Sequence, residues 1–468
     1  MGFLPLNIYF MLNLDFFNKQ KTFFLSGKTR SVQKRIQLLE KLDSSITSNE
    51  SKIFEALKKD LNKSNFESYL TEIAILKSEI KLIKKKLKKW SKPKRVKSTL
   101  ASFPSKDYLF LEPYGITLII SPWNYPFQLA LLPLISSIAA GNTVVIKPSE
   151  HSPHTSKLIQ EIISSIFSDE YVKVILGDSK VASKLLELRW DYIFFTGSVN
   201  VGKIVAKAAS KFLTPLTLEL GGKNPCIIDK DTDIKLTAKR LIWGKFVNAG
   251  QTCIAPDYLI VEKSIKKKLI DELILEIERA YGKNQEDSMD YPRIINKQNT
   301  ERLISMLNDQ EIIYGGNYNI DNKYLSPTII NNPDLKSDLM KDEIFGPILP
   351  ILEFNDKKDI FKLIYNYEKP LALYVFSKNS DFYNDIINKL SFGGGVINDT
   401  MIQFGNHRLP FGGVGESGMG AYHGESGYKL FSHQKPIVKK GNWLDISTRY
   451  APYKGKLKSL KKLLRFLN

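Results

Sequence analysis

The chain holds two cysteines, and their neighbours divide them. Cys253 sits in GKFVNAGQTCIAP, residues 244–256, where Ala249, Gly250 and Thr252 leave room for a ligand to come close to sulfur. A thiolate is a strong, soft nucleophile, and it forms where a polar pocket, a cation or a helix start lowers the thiol pKa. Cys226 stands instead in GGKNPCIID at the start of an apolar run, the setting of a buried and inert thiol. Neither belongs to a C-x-x-C pair or to a Cys/His cluster with zinc spacing, so no metal site is expected. Two cysteines cannot build a disulfide framework, which points to a reduced, intracellular setting.

Other polar residues stand where the ends of sheet strands would present them. Glu219 lies in LTLELGGKNP, residues 216–225, within an apolar strand and one residue short of two glycines. A carboxylate there is costly unless it is paired or functional. Asn124, in SPWNYPF, follows a strand, where its amide can donate to a developing oxyanion; an Asn near Pro is also ordinary turn chemistry. FTGSVNVGK, residues 195–203, places Gly197, Ser198 and Gly202 between a strand and a helix start, a setting for phosphate on free N–H groups. It departs from G-x-G-x-x-G and serves equally as a bare tight turn. TVVIKPSEHSP, residues 143–153, sets Lys147 and Glu150 past a strand end, able to hold ribose and phosphate or simply to be solvated, with Ser149 as a helix cap.

The elements that must position these residues alternate. From Lys28 to Lys97 the apolar spacing is helical, as in RIQLLEKLDSSI, and Pro93 ends it. LEPYGITLIISPW, TVVIKP, YVKVIL and YIFFTGS then arrive as short strands separated by helical stretches such as PFQLALLPLISSIAA. That order predicts a parallel sheet covered by helices, with ligands at the carboxyl ends of its strands. A second alternation begins near Leu218, with PCIID, DYLIVEK, EIIYGG and GPILPILEF as strands and SIKKKLIDELILEIERAYG as a helix. The expected fold class is α/β, with two parallel-sheet domains in series.

A formal charge of +19 asks whether the partner is a nucleic acid or an anionic membrane. Ten of the seventeen residues from Lys81 to Lys97 are basic, and a second basic group runs from Lys454 to Arg465. No zinc finger or aromatic-rich RNA-binding motif accompanies them, so no nucleic-acid partner is expected. The opening MGFLPLNIYFMLNLDFF lacks the basic start and the cleavage site of a signal sequence, its uncharged residues 1–14 are short for a membrane span, and Met11 offers an alternative start. In the tail, Leu457, Leu460, Leu464 and Leu467 share one helical face flanked by lysines, which suits an anionic membrane surface or a neighbouring subunit.

Together these stretches resemble the aldehyde dehydrogenase superfamily, and most closely its class 3 branch, which includes the fatty aldehyde dehydrogenases. SPWNYPF, VVIKPSE, FTGS, TLELGGKNPCIID, NAGQTCIAPDY, DEIFGPILPI, PLALYVFS, GGVINDT and LPFGGVGESGMGAYHG stand in family order from near Lys28 to about Lys440, and LELGGK with GQTC 34 residues later is highly specific. The resemblance implies that Cys253 attacks the aldehyde carbonyl while Asn124 and the Cys253 N–H hold the oxyanion. Hydride passes to a nicotinamide, and Glu219 activates the water that releases the acid. It further implies that NAD, or NADP, is held by Lys147 and Glu150, by Gly197, Ser198 and Gly202, and by Glu343 and Phe345, with Tyr125 and Trp243 near an apolar substrate tunnel. It implies a Rossmann-like cofactor domain over residues 18–217, a catalytic domain over 218–425, and a bridging segment with the basic tail over 426–468. Residues 98–111 join the bridging arm, which serves to assemble a homodimer. Medium or long aliphatic, or aromatic, aldehydes are the expected substrates of a cytoplasmic enzyme with peripheral membrane contact through its tail. A coenzyme-A-acylating relative is disfavoured by Glu219, since a water-activating base does not help a second thiol capture the acyl group. A silent binding protein on the same fold would be expected to have lost Cys253, Glu219 or Asn124.

Overall fold

In the computed structural model, which describes residues 15–99, 102–445 and 447–467, the amphipathic stretch after Lys28 folds as a set of helices. The opening residues 1–14 lie outside the described residues. Val32–Ser48 starts at Ser31, whose hydroxyl accepts the Lys34 N–H, and buries Leu39, Leu42 and Ile46. Glu50–Leu61 stops at Asn62, which turns left-handed with φ 54°. Asn65–Ser68, a π turn over Tyr69–Ile73 and Ala74–Trp90 then run on without a break. The last of these ends just short of Pro93, as the lost N–H and ring clash of proline require.

Six strands form the first sheet, in the order Gly418–Met419, Leu216–Glu219, Tyr192–Thr196, Ile116–Ile120, Thr143–Lys147, Val172–Val174. All pair in parallel except Gly418–Met419. The fully buried apolar residues of Ile116–Ile120 and Tyr192–Thr196 explain why these strands read as unbroken runs. The direction of winding reverses between those two strands, so the loops after Ile120 and Thr196 flank a crevice at the carboxyl end of the sheet. Asn124 stands in the first loop, and Gly197 and Ser198 in the second.

Seven strands form the second sheet, in the order Ile312–Tyr314, Thr328–Asn331, Ile348–Phe354, Tyr258–Glu262, Pro225–Ile228, Ala372–Phe376, Gly394–Ile397. Only Ile312–Tyr314 pairs antiparallel. Thr328–Asn331, Ala372–Phe376 and Gly394–Ile397 go beyond the strands marked by the sequence pattern: they are short, and Gly394 and Gly395 carry little strand propensity. The chain passes from Glu219, at the end of one sheet, to Pro225, at the start of the other, through Leu220–Asn224. A third sheet of Lys94–Val96, Ser105–Pro113 and Ser432–Lys440 is antiparallel and forms an arm. The basic run from Lys81 is therefore divided between the end of a helix and an edge strand of this arm. The tail forms the helix Leu457–Leu467, with Leu457, Leu460 and Leu464 exposed. Among the described residues no helix is long and apolar enough to cross a membrane.

Candidate active site

Cys253 stands at the end of a backbone feature that few residues tolerate. The helix Ile234–Phe246 gives way to Asn248, Ala249 and Gly250, all left-handed, with φ of 53°, 51° and 74°. Gly250 is required there twice over, since a side chain at it would be strained and its Cβ would lie 2.3 Å from the Gly346 carbonyl oxygen. Gln251 then fastens the loop: its amide donates to the carbonyls of Asn248 and Arg293 and accepts the Ile295 N–H. Asn224 donates to the carbonyls of Cys253 and Ala255 at 2.7 and 3.1 Å, holding the nucleophile loop from the opposite side.

The sulfur opens on a cavity of about 790 Å³ whose lining includes Asn124, Gly197, Ser198, Glu219, Glu343 and Phe345. Burial, with the Glu343 and Glu219 carboxyls close by, pushes the Cys253 thiol up, against the N–H groups of Cys253 and Ile254. The resting sulfur is therefore a thiol that needs a further positive charge or a base to ionise. Cys226 is fully buried in Pro225–Ile228, as its apolar neighbours predict.

Asn124, 2% exposed, donates its amide to the Gln251 carbonyl at 3.0 Å, so it joins its own loop to that of the nucleophile and retains a second N–H. Its neighbour Tyr125 is buried with its hydroxyl 2.7 Å from that of Thr252, next to Cys253. Trp243 is instead 39% exposed on the surface of its helix. The sequence pattern did not mark Lys63 and Glu72, which pair at 2.8 Å with no exposure at all. Lys63 donates to the Asn124 carbonyl at 3.0 Å and Glu72 accepts the first helical N–H groups of Pro126–Ala140.

Glu219 closes its strand 3% exposed, and neither of its oxygens has a hydrogen-bond partner among the described residues. Burial alone raises its pKa well above the ordinary carboxylate value. Such a group keeps its proton to a higher pH than an ordinary carboxyl and is a stronger base once the proton is lost. Glu343 is raised to about 8, chiefly by burial and by Asp257, with the Gly222 N–H, Lys223 and Arg302 opposing. It crosses over Gly221, where a Cβ would come within 1.9 Å of its Oε2. Phe345, itself left-handed at φ 52°, meets Trp123 edge to face at 5.4 Å.

Ser198 caps the helix Val199–Ser210 with its hydroxyl on the Val201 N–H, and the Gly197 N–H is taken by the Glu219 carbonyl. Gly202 faces away from the cavity; its Cβ would lie 2.7 Å from Leu220, so this glycine lets the helix approach the Glu219 strand. Lys147 and Glu150 pair at 2.6 Å beyond the end of Thr143–Lys147, outside the lining of the cavity. Burial acting to raise Glu150 is outweighed by the hydrogen bond and charge of Lys147. Ser149 does not cap the next helix: Pro153–Ile166 starts after Ser152, and Asp60, from Glu50–Leu61, accepts the His154 and Thr155 N–H groups at 3.2 and 2.8 Å.

A thiol, an unpartnered buried carboxyl and an amide thus line one cavity at the switch point of a parallel sheet, an arrangement that suits a nucleotide-dependent oxidoreductase. The residues suit a dinucleotide, because Thr196 and Glu343 line the cavity and their buried Oγ1 and Oε1 have no partner among the described residues. The profile of the aldehyde dehydrogenase family matches residues 19–437, and the chain belongs to that family. It is 46% identical over 447 residues to the 4,4'-diaponeurosporen-aldehyde dehydrogenase of Staphylococcus aureus (strain NCTC 8325 / PS 47), covering 95% of this chain and 97% of that one. It is 41% identical to the "Aldehyde dehydrogenase, dimeric NADP-preferring" of Canis lupus familiaris, covering 93% and 96%. The substrate-bound state of Staphylococcus aureus AldH matches the fold with a TM-score of 0.94 at 46% identity, covering 96% of this chain and 99% of that one. The protein oxidises aldehydes with NAD(P).

Proposed function

We propose that Cys253 is the nucleophile of this oxidation, Glu219 the base that releases the product and Asn124 a donor to the oxyanion. Cys253 and Glu219 line one cavity, and both Glu219 oxygens are without a partner among the described residues; that observation carries the assignment. The Cys253 sulfur adds to the aldehyde carbon, and the free Asn124 N–H, with the Cys253 N–H, holds the charge that develops on oxygen. Bound in the cavity, the nicotinamide supplies the hydride acceptor and a positive charge that favours the thiolate. Glu219, once ionised, takes a proton from water as the water attacks the resulting thioester, and Cys253 leaves as the thiolate. Glu343 and Phe345 hold the nicotinamide end of the cofactor, Gly197 and Ser198 the turn beneath its phosphates, and Gly202 the close packing of that helix. Lys147 and Glu150 hold the adenosine ribose.

The same reading assigns cofactor binding to residues 18–217 and the chemistry to residues 218–425. Residues 98–111 and the bridging segment of 426–468 ahead of the tail helix then serve assembly of a homodimer, as the name of the canine relative suggests. The substrates are medium or long aliphatic, or aromatic, aldehydes, in keeping with the aldehyde named for the staphylococcal relative. The setting is cytoplasmic, with peripheral membrane contact through the tail. Steady-state rates over an aldehyde chain-length series with both cofactors test the substrate class, which fails if the shortest aldehydes are preferred. Cys253→Ser should abolish activity while Cys226→Ser leaves it near that of the parent, and equal behaviour of the two would remove Cys253 from its role.

A further inference from the structure

A buried carboxyl that takes no part in the chemistry above reaches the nucleophile loop. Glu67, on the short helix Asn65–Ser68, is 8% exposed, and its Oε1 accepts the Asn248 N–H at 3.0 Å across 181 residues of chain. The helix Ile234–Phe246 closes with the Val247 N–H on the Trp243 carbonyl, and from Asn248 onward the backbone is left-handed, so this N–H has no helical acceptor. A left-handed run that includes Asn248 and Ala249 is strained, and it persists only where its surroundings over-determine it. Gln251, Thr252 and Cys253 follow at once.

The same cluster also holds the Asn124 loop. Lys63, paired with Glu72, donates to the Asn124 carbonyl, and Asn248 donates its side-chain amide to that carbonyl at 2.8 Å and to the Gln251 carbonyl at 3.1 Å. One buried set of charges from the amino-terminal helices therefore fastens both loops that carry the reacting groups.

We infer that Glu67 is a positioning residue for Cys253: as a carboxylate it fixes the Asn248–Gly250 turn, and its protonation loosens the turn and lowers the reactivity of the sulfur. This rests on Cys253 being the nucleophile. Lys63, Glu72 and Asp290 face Glu67, as do the phenols of Tyr125 and Tyr281. Burial raises its pKa to about 7, opposed by Lys63 and the Asn248 N–H and assisted by Glu72 and Asp290. A charged acceptor makes the stronger bond, so positioning is complete above that pH and lost below it. Stability runs the other way. The native protein keeps this proton between the ordinary carboxylate range and about 7, so stability falls as pH rises through that window.

The test is the rate of iodoacetamide alkylation of Cys253 in the full-length protein carrying Cys226→Ser, without aldehyde or cofactor, with Glu67 intact and as E67Q. Gln keeps an acceptor oxygen and never ionises. The ratio of the two rates should be near one at about pH 6 and rise to about tenfold by about pH 8.5, with its midpoint near 7; the titration of the thiol itself cancels. A ratio that does not change with pH overturns the inference. E67L, lacking any acceptor, should be slow at every pH, and if it does not fold the E67Q ratio decides alone. Alkylation of Cys253 that leaves dehydrogenase activity intact sinks the nucleophile assignment instead, and that outcome is distinct.

Discussion

A buried carboxyl with neither oxygen partnered is a stronger base than an ordinary carboxylate, and it loses its proton only at a higher pH. Release of acid product should therefore speed up as pH rises toward the raised pKa of Glu219, because only the deprotonated form can take the proton of water. Glu219→Gln should remove that climb and slow steady-state turnover by roughly 10² to 10⁴ while leaving a first-turnover burst of nicotinamide reduction. Slow turnover with no burst and no trapped thioester would count against this role for Glu219. Glu343, raised to about 8, is a second carboxyl of the cavity that titrates, and the burst separates the two because only Glu219 is assigned to the second half-reaction.

The strand end Thr143–Lys147 presents Lys147 and Glu150 as one ion pair, so the ribose contact proposed for them would belong to this element rather than to either residue alone. A carboxylate on the ribose hydroxyls repels a 2′-phosphate, and Glu150→Gln should improve the use of NADP relative to NAD by roughly threefold to tenfold. The ratio of kcat/KM for the two cofactors reads this directly, and an unchanged ratio removes Glu150 from the ribose. Elements of this kind were legible in advance: Ile116–Ile120, Tyr192–Thr196 and Pro225–Ile228 are buried throughout, so their apolar runs are unbroken in sequence. Cys253 and Glu219 announced themselves by residue type in unusual surroundings. Lys63, Glu67 and Glu72 did not, because an inward-facing charge in or between amphipathic helices looks like its solvated neighbours until partners far along the chain are known. Ser149 misled for the same reason, since its expected role as a cap is taken by Asp60 from another helix.

Across the whole molecule, positive charge gathers at the arm strand Lys94–Val96 and in the tail helix Leu457–Leu467, whose leucines Leu457, Leu460 and Leu464 are 61%, 38% and 49% exposed. Truncation after Tyr453 should abolish salt-sensitive flotation with anionic vesicles and leave activity on a short soluble aldehyde within about twofold. A truncated protein that changes from dimer to monomer, with an intact protein that ignores anionic lipid, would make the tail an assembly element instead.

The arm sheet pairs Ser105 with Lys440 and Pro113 with Ser432, and the strand Gly418–Met419 returns to lie against Leu218 and Glu219. Each pairing joins segments made far apart in synthesis, and long-range closure of this kind is slow. Until Gly418–Met419 has been made and has paired, the Leu216–Glu219 strand is therefore an open edge, able to recruit a foreign strand. Glu219, the proposed base, gains its outer strand only then, so the interval before that pairing is when this edge most needs a chaperone's cover.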